Sequence, residues 1–373
     1  MDEDFLPAHG GQLCELAAEF GVPAASLLDF SASIDPHPMS DVVVSTLCEA
    51  LRERTILTTY PDMHYTALKE AISAYAQISL QAISINSGVM PMLSAALCAL
   101  RTRRGLVPVP AFTEYRKVLH TCGVECCTFP STQDTGFLLN ADALISQLRD
   151  SRAQALLLAN PQSPTGRLMP AKELFRLHEA AYALGATIIV DEAFIDYAPE
   201  DSLSQYAAIS PGLIVLRSLT KFFAMPGLRV AYAVSHPEMR AVIESHIPAW
   251  PVGSIAAEAA RVVMEDRPLI AHTRATNATE RSWLTEQLQA LGLSVFPSVA
   301  NYLLMKIDDN RDGIEIWRHL IVEHRVVLRS CANFEGLDTH YFRISVRRRQ
   351  QNEQLVQALK EVLRFTSHRR VKE

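Results

Sequence analysis

Four short polar motifs carry the residues whose types and spacing could do chemistry. They are Asn160-Pro161-Gln162-Ser163-Pro164-Thr165-Gly166, Asp191-Glu192-Ala193-Phe194, Arg217-Ser218-Leu219-Thr220-Lys221 and Pro226-Gly227-Leu228-Arg229. A lysine amine can attack a carbonyl carbon and form an imine, and a carboxylate in a dry site stabilises a cation beside it. Taken singly, the motifs have simpler explanations, namely a proline turn, a helix N-cap and a surface lysine. Their order, with each motif after an apolar run, makes chance a poor explanation.

The apolar runs before these motifs predict the strands of a buried sheet. The runs cover residues 106–109, 155–159, 187–190, 213–216 and 230–234. Amphipathic segments lie between them, such as 172–184, where apolar residues recur every three or four positions. This alternation predicts an α/β fold, a mostly parallel sheet covered by helices on both faces. In such sheets the functional groups gather beyond the carboxyl ends of the strands, which is where the motifs stand.

The length of the chain and a change of pattern along it predict two domains and an arm. The 373 residues exceed what one hydrophobic core usually supports. We expect a Pro-rich N-terminal arm at 1–45, a large domain at 46–249 and a smaller α+β domain at 250–373. Within the smaller domain, the pattern predicts a helical stretch at 254–291, strands near 294–296, 301–307 and 341–346, and a final helix at 352–365.

Composition and charge exclude several kinds of partner. The net charge of −6 gives no bulk attraction to nucleic acid or to an anionic membrane. No run reaches the roughly 18 apolar residues of a membrane span, and the start, MDEDFLPAHGG, lacks the pattern of a signal peptide. The seven cysteines are widely spaced without a C-x-x-C pair, and apolar packing explains the cluster Cys122, Cys126 and Cys127 better than a metal does. We expect a cytoplasmic protein without a metal site.

Taken together, the four motifs resemble those of fold-type-I enzymes that use pyridoxal 5′-phosphate (PLP), in the class I and II aminotransferase family. The resemblance spans nearly the whole chain and implies the aspartate-aminotransferase fold. It implies that Lys221 holds the cofactor as a Schiff base and that Asp191 keeps the pyridine nitrogen protonated, so that the ring can accept electrons. Asn160 matches the family residue that donates a hydrogen bond to the phenolate oxygen.

The resemblance also implies which residues hold the cofactor phosphate. Ser87, Gly88 and Val89 match the turn that opens a helix, where backbone N–H groups meet the positive end of the helix dipole. Ser218 and Arg229 match a hydroxyl and a cation that complete the site.

Two aromatic residues complete the implied cofactor site. Phe112 matches the residue that stacks on the cofactor ring. Tyr60, in Tyr60-Pro61-Asp62, matches a tyrosine that reaches the phosphate of the neighbouring subunit's cofactor, which implies a homodimer. A tyrosine of the core is the alternative explanation for Tyr60.

Three positions depart from the family pattern around the cofactor. Asn86 stands where the phosphate turn usually has glycine, and Val89 stands where an acidic or polar residue is common. Backbone N–H binding survives both changes. Phe194 replaces a tyrosine found in many aminotransferases, so one phenolic hydrogen bond to the cofactor is missing and the pKa of the imine should change.

Within the family, the sequence is most similar to a group that contains histidinol-phosphate aminotransferases and L-threonine-O-3-phosphate decarboxylases. The opening His9-Gly10-Gly11, the segment 28–36, Phe194, and the segments 328–334 and 341–344 favour the decarboxylases. The resemblance implies that the substrate-binding residues are His9, Ser33, Ile34, Asn160, Arg329 and Arg343. Ser33 departs from the group, which has asparagine at that position.

The residues leave two reactions open, because the bond perpendicular to the imine plane is the one that breaks. If Arg343 holds the substrate carboxylate in the plane, transamination with 2-oxoglutarate or glutamate follows; if the carboxylate points out of the plane, CO₂ leaves. Arg329 or His9 would hold a substrate phosphate, although both arginines could be ordinary strand residues. We predict a decarboxylase that acts on an amino acid phosphate in the cobalamin side-chain pathway.

Two alternatives remain beside this prediction. The first is a histidinol-phosphate-type aminotransferase. The second is a non-catalytic binding protein with the PLP fold, which the presence of both Lys221 and Asp191 disfavours.

Overall fold

The strands of the protein form three sheets. A computed structural model describes residues 6–307 and 310–369, and the side chains of 6–307 and 310–364. The strands in these ranges are β1 (Leu28–Asp29), β2 (Ile83–Asn86), β3 (Arg104–Val109), β4 (Glu125–Pro130), β5 (Ala155–Ala159), β6 (Thr187–Asp191), β7 (Leu213–Ser218), β8 (Ala231–Ser235), β9 (Ser294–Val295), β10 (Tyr302–Lys306), β11 (Val326–Val327), β12 (Arg329–Ser330) and β13 (Tyr341–Ser345).

Helices cover these sheets and connect their strands. They are α1 (Leu13–Phe20), α2 (Asp41–Glu53), α3 (Thr55–Thr58), α4 (Thr66–Ala76), α5 (Val89–Leu100), α6 (Glu114–Thr121), α7 (Ala141–Ser151), α8 (Ala171–Ala183), α9 (Ser204–Ala207), α10 (Pro237–Glu244), α11 (Ser254–Glu265), α12 (Arg267–Ala290), α13 (Gly313–His324) and α14 (Arg349–Arg369). None of the helices in the described ranges has the length and apolar character needed to cross a bilayer.

The largest sheet has seven strands in the order β2-β8-β7-β6-β5-β3-β4. The five strands from β7 to β4 are parallel, and β8 is antiparallel to β7 and to β2. The prediction of a mostly parallel sheet between helices is therefore confirmed. The run at 230–234 is a strand, as predicted, but its direction is reversed. Strands β2 and β4 were not predicted.

Both faces of the central strands are buried, which explains their uninterrupted apolar sequences. Along β5, Leu156 and Leu158 lie in one hydrophobic cluster, and Leu157 lies in the cluster on the opposite face. Residues that alternate along a strand point to opposite faces of the sheet. Two layers of helices therefore fix β5 from both sides and hold its carboxyl end in place.

A second core lies around the smaller sheet, whose strand order is β12-β13-β10-β9. It contains Trp317 and Phe342 of the C-terminal part together with Leu16 and Phe30 of the N-terminal arm. Helix α11, in contrast, packs its buried face into the core of the large sheet. The proposed domain boundaries at residues 45 and 249 remain predictions, and the arm shares its core with the smaller sheet.

The helical stretch predicted over 254–291 consists of two helices. Helix α11 ends at Glu265 and α12 begins at Arg267. Asp266 caps α12, because its carboxylate accepts a hydrogen bond from Leu269 N at 3.1 Å. Pro268 lies in the first turn, where its missing N–H leaves no helical hydrogen bond unmade. The final helix, predicted at 352–365, spans Arg349–Arg369.

Candidate active site

The predicted motifs meet at the carboxyl edge of three neighbouring strands. Asp191 is the last residue of β6, Ser218 is the last residue of β7, and Asn160 directly follows β5. Asn160 N donates to Asp191 O at 2.9 Å. Because the register of the sheet fixes these backbone positions, it also sets the starting points of the three side chains.

Asp191 provides a buried carboxylate with two donors of its own. Its Oδ1 accepts from Ala193 N at 3.0 Å, and its Oδ2 accepts from the hydroxyl of Tyr115 at 2.6 Å. Burial raises the pKa of Asp191 above the ordinary aspartate value, although both hydrogen bonds act in the other direction. A cation placed beside this carboxylate would be held strongly. Tyr115 was not predicted; its place one helical turn after Phe112 was the available signal.

Lys221 lies in the loop after β7 with its amine largely buried. Burial, together with the guanidinium charges of Arg343 and Arg229, lowers the pKa of Lys221 to about 8, against the attraction of Asp191. A substantial fraction of the amine is then neutral near pH 8, and the neutral amine is the nucleophile. The arm contributes to the position of this loop, since Asp35 N donates to Lys221 O at 3.0 Å.

A buried ion pair joins the strand ends that carry Asp191 and Lys221. Arg217 lies 3.5 Å from Glu192 and also contacts Asp196. Its Nη1 donates to the hydroxyls of Ser202 and Ser204. Burial raises the pKa of Glu192 to about 7, although Arg217 opposes this shift. The glutamate and arginine of the two motifs thus link β6 to β7 behind the site.

The turn after β2 has the geometry of a phosphate site. Gly88 precedes α5, and its φ of +141° is a backbone conformation that other residues rarely adopt. A Cβ on Gly88 would lie 3.3 Å from Nη2 of Arg229, so the guanidinium lies directly against this turn. Asn86 Oδ1 accepts from Ser87 N at 2.8 Å. Asn86, which departs from the family pattern, therefore occupies the N–H group of Ser87, one of the backbone donors of the turn.

Two hydroxyl groups at the end of β7 lie beside each other. Ser218 Oγ is 2.8 Å from Thr220 Oγ1, and Thr220 N donates to Ser218 Oγ at 3.3 Å. Both side chains are buried. Thr220 was not among the predicted residues, although it stands in the same motif as Ser218 and Lys221.

Asn160 is held rigidly by one backbone residue. Its Oδ1 accepts from Met169 N at 2.8 Å, and its Nδ2 donates to Met169 O at 3.0 Å. An amide nitrogen carries two hydrogens, so the second one can serve a ligand such as a phenolate oxygen.

Arg343 connects the arm with the first motif. Its Nη2 donates to Ser31 O at 3.1 Å and its Nη1 donates to Ser163 Oγ at 3.2 Å. Burial lowers the pKa of Arg343 below the ordinary value. Within the described part of the chain, its buried Nε has no hydrogen-bond partner. A buried guanidinium with unused donors is suited to binding an anionic ligand.

Phe194 contacts this arginine indirectly, through Tyr302. The ring of Tyr302 lies 5.2 Å from the Arg343 guanidinium, and the ring of Phe194 lies edge-on to Tyr302 at 4.9 Å. The hydroxyl of Tyr302 donates to Gln162 O at 3.0 Å. Phe194, which replaces a tyrosine of many relatives, thus packs against Tyr302, and Tyr302 in turn lies against Arg343.

Ser33 and Ile34 lie close to these groups but are engaged within the protein. Ser33 is buried, and its Oγ accepts from Ser345 Oγ at 3.2 Å. Ile34 is partly buried, and its N donates to Ala32 O at 2.9 Å. Ser33 therefore fixes the arm against β13, and Ile34 makes a local turn within the arm.

Arg329 fastens the N-terminal segment. Its Nη2 donates to Ala8 O at 2.7 Å and to Asn333 Oδ1 at 2.8 Å, and its Nη1 donates to Pro7 O at 3.2 Å. Only 3% of the residue is exposed. Burial, together with the charge of Arg343, lowers the pKa of Arg329 to about 10. A substrate phosphate would have to displace arm carbonyls to reach this group.

His9 lies beside the aromatic residue predicted to stack on the cofactor. Its ring centroid is 6.1 Å from that of Phe112, and its Nε2 donates to Glu114 Oε1 at 3.1 Å. Tyr60 lies elsewhere: it is 78% exposed and stacks on Trp250 with the ring centroids 4.4 Å apart. Contacts of Lys221 with Asp191, Arg229 and Arg343, and of His9 with Phe112, connect most of the other predicted residues in one region, here termed the cleft, whereas Tyr60 lies on the surface.

The residues of the cleft fit pyridoxal phosphate. The amine of Lys221 and the buried carboxylate of Asp191 match the aldehyde and the pyridine nitrogen of that group. The hydroxyl of Ser218, the guanidinium of Arg229 and the helix start at Gly88 match its phosphate. Among the described residues, no group of three or more His, Cys, Asp or Glu side chains could hold a metal ion.

Comparison with known proteins defines the class to which this fold and site belong, the fold-type-I PLP enzymes. The family model for aminotransferase class I and II matches residues 26–359. The chain belongs to this family, and it is a PLP-dependent enzyme.

Two curated relatives are similar to the chain over nearly all of its length. A threonine-phosphate decarboxylase of Salmonella typhimurium is 35% identical over 371 residues, which cover 96% of this chain and 97% of the relative. An adenosylcobalamin biosynthesis bifunctional protein of Leptospira interrogans is 27% identical, and the match covers 98% of this chain but 42% of that longer protein.

Solved structures have the same fold. The histidinol-phosphate aminotransferase of Clostridium acetobutylicum superimposes with a TM-score of 0.82 at 26% identity, covering 90% of this chain and 99% of that chain. That of Sinorhizobium meliloti, solved in complex with pyridoxal 5′-phosphate, superimposes with a TM-score of 0.83 at 20% identity, covering 98% of both chains.

The lowered pKa of Lys221 predicts how fast the apoenzyme captures PLP at different pH values. Because the neutral amine reacts, the rate should rise with pH and level off above a pH of about 8. A free lysine analogue should continue to gain rate until about pH 10.5, the ordinary range of the amine. Stopped-flow absorbance measures both rates. A protein rate that still climbs at pH 10 would show that Lys221 has an ordinary pKa.

Proposed function

We propose that the enzyme decarboxylates a phosphorylated amino acid similar to O-phosphothreonine, as a step in the cobalamin side-chain pathway. The observation that supports this most is the pairing of Arg329 with Arg343 across strands β12 and β13. Like charges directly opposite on a sheet destabilise it, and here Arg329 is buried and Arg343 is partly buried. A substrate with a dianionic phosphate and a carboxylate supplies the negative charge that such a pair requires.

The cofactor-binding roles proposed for the residues follow from their chemistry. When bound, PLP supplies an electron sink for the electron pair left at the substrate's Cα. Asp191 would hold the pyridine nitrogen protonated, Asn160 would donate to the phenolate oxygen, and Lys221 would carry the cofactor. The turn Ser87-Gly88-Val89, with Ser218 and Arg229, would hold the phosphate, and Phe112 would cover one face of the ring.

The substrate side of the proposed site is formed by the arm and the smaller sheet. Arg343 binds the carboxylate, and His9 and Arg329 face the phosphate, with Asn160, Ser33 and Ile34 along the wall. For decarboxylation, the carboxylate held by Arg343 would be the group that leaves as CO₂. The 35% identity with a threonine-phosphate decarboxylase supports this reaction.

Transamination of histidinol phosphate is the second candidate. The likeness to the Clostridium acetobutylicum aminotransferase favours it, and the same cations would bind a phosphate and the carboxylates of 2-oxoglutarate. Phe194 is common to the decarboxylase pattern and supplies no hydroxyl to the cofactor, which supports the first candidate.

A homodimer is part of the proposal. An apolar surface extends over α2, α3 and the loop that follows them, with exposed Val42, Val44, Leu51, Leu57, Tyr60 and Met63. A groove of about 380 Å³ runs beside Tyr60. Exposed apolar patches of this kind are typical of protein interfaces. We propose that this surface binds a second copy and that Tyr60 reaches the cofactor phosphate of that copy.

We also propose that the protein acts in the cytoplasm. All seven cysteines are free thiols in the structure, a state that a reducing compartment maintains.

The role of Asp191 can be tested by graded removal of its interactions. Asp191→Ala should still bind PLP but turn over at least about a hundredfold more slowly, because preorganised electrostatic stabilisation is lost. Tyr115→Phe keeps the carboxylate and removes one donor, so a smaller loss of about tenfold is expected. Steady-state kinetics and the cofactor absorbance give both values. Turnover near the wild-type rate in Asp191→Ala would contradict this role.

The reaction itself is tested by CO₂ release from O-phosphothreonine. The wild-type enzyme should release CO₂, and Arg343→Ala should lose at least about a hundredfold in rate because the buried carboxylate contact is removed. Arg343→Lys should retain part of the rate, since lysine keeps the charge without the planar fork. Arg348→Ala, an exposed arginine of the same segment, is the control.

One result would decide against decarboxylation, and another would decide against the role of Arg343. Consumption of 2-oxoglutarate with an amino donor, without CO₂, would establish the aminotransferase. Unchanged CO₂ release in Arg343→Ala would remove Arg343 from the site.

The proposed dimer predicts complementation between two inactive variants. Lys221→Ala and Tyr60→Ala should each be inactive or nearly so. After the two chains are mixed and allowed to exchange, half of the dimers are hybrids with one intact site, so activity should recover to about a quarter of wild type. Ile209→Asp, an exposed residue outside the apolar surface, mixed with Lys221→Ala, controls for effects of mixing. Absence of recovery, or a fully active monomer in sedimentation, would rule out the shared site.

A further inference from the structure

The N-terminal segment at residues 6–12 is attached firmly to the smaller sheet. Arg329 donates to the carbonyl oxygens of Pro7 and Ala8, and Asn333 Nδ2 donates to Ala8 O at 3.1 Å. Leu6 packs against the core of the smaller sheet. The segment therefore enters the cleft from the side of the smaller sheet.

The next residue crosses the cleft. His9 Nε2 donates at 3.1 Å to Oε1 of Glu114, the first residue of α6, which packs on the large sheet. The backbone of His9 is fixed as well, because His9 N donates to Gln12 Oε1 at 2.7 Å. Gly10 contacts Ser31 so closely that a Cβ would lie 2.1 Å from Ser31 O. The path of the segment thus directs the imidazole to Glu114.

Glu114 belongs to a turn whose side chains reach three parts of the site. Tyr115 reaches inward and donates to Asp191. The ring of Phe112 lies 5.7 Å from that of Tyr115 and 6.1 Å from that of His9. Glu114 points outward to His9. One turn therefore places the carboxylate of Asp191, the stacking ring and the imidazole in order, from the floor of the cleft to its entrance.

We propose that Glu114 is a positioning residue that holds His9 over Phe112 and so keeps the N-terminal segment closed over the substrate phosphate. This rests on the proposed function in one respect, namely that the substrate carries a phosphate. The hydrogen bond with Glu114 occupies Nε2, which leaves Nδ1 as the ring nitrogen that would face the ligand.

The contact between His9 and Glu114 acts through geometry and contributes little to the stability of the fold. The side chain of His9 is 42% exposed and that of Glu114 is 25% exposed, and pairs with such exposure add little to folding stability. Arg329 and Asn333 hold the segment to the smaller sheet without Glu114. What Glu114 adds is the direction of the imidazole and a link to the large sheet.

A double-mutant cycle on His9 and Glu114 tests the proposal. Glu114→Ala should raise KM for the phosphorylated substrate about tenfold, the scale of one hydrogen bond to a charged group, with kcat changed less than about twofold. In the His9→Ala background the same change should have no further effect, because Glu114 acts only through His9. Glu114→Gln keeps an oxygen acceptor for Nε2 and should restore most of the affinity.

A matched control comes from the other partner of Glu114. Lys117 Nζ lies 3.6 Å from the second carboxylate oxygen, so Lys117→Ala perturbs the same carboxylate without breaking the contact with His9. Its KM should equal the wild-type value. A KM increase of equal size in the wild-type and His9→Ala backgrounds, or none in either, would overturn the proposal.

Hydrogen exchange of the holoenzyme, followed by mass spectrometry, gives a readout without turnover. Peptides that contain residues 6–12 should exchange faster in Glu114→Ala than in the wild type or in Lys117→Ala. Unchanged exchange would show that Glu114 does not hold the segment.

Failure of the proposed role of Glu114 can be distinguished from failure of the proposed function. If the wild type ignores O-phosphothreonine and accepts histidinol phosphate, the decarboxylase assignment falls, and the cycle is run with that substrate. If the wild type decarboxylates O-phosphothreonine and Glu114→Ala keeps the wild-type KM, the function stands and the role of Glu114 falls.

Discussion

The buried carboxylate of Asp191 is the constraint on which the rest of the site depends. A carboxylate without water nearby is costly unless donors or cations surround it. Here the donors are Ala193 N and the hydroxyl of Tyr115, and both depend on the carboxyl end of the sheet. The ion pair between Glu192 and Arg217 links the neighbouring strand ends. The rigid parallel sheet therefore holds in place the groups that allow the Asp191 carboxylate to be buried.

Positive charge is arranged around the amine of Lys221 on two sides. Arg229 lies against the phosphate turn, and Arg343 lies on the side of the arm; both lower the pKa of Lys221. In a site of low dielectric constant such repulsion is stronger than in water. These two charges therefore favour the neutral form of the Lys221 amine, and under the proposed function they would also attract anionic ligands. No residue besides these two arginines is needed to add their charge repulsion to the effect of burial on the pKa of Lys221.

The sequence predicted the parts of this structure that depend on local pattern. The buried strands and their polar ends follow from apolar runs, and the site residues follow from motifs with fixed spacing. The contact between Tyr115 and Asp191 spans 76 positions, and no local pattern reports it. Nor did the motif around Asn86 reveal that its own side chain occupies the N–H of Ser87. The break at Asp266 could have been found, because an N-cap residue and a proline two positions later announce a new helix.

Arg329 shows why a residue's role in a site depends on tertiary contacts. Its type and position suggested a ligand for phosphate, yet in the structure its guanidinium holds the carbonyl oxygens of Pro7 and Ala8. Carbonyl oxygens only partly balance a buried cation, and Arg343 lies opposite on the next strand. A phosphate that entered beside His9 would meet an arginine already desolvated and fixed in place, so little entropy would remain to be lost on binding. Under the proposed function, the arm and the anion would therefore use the same charge, and closure of the segment would be coupled to recognition of a phosphate.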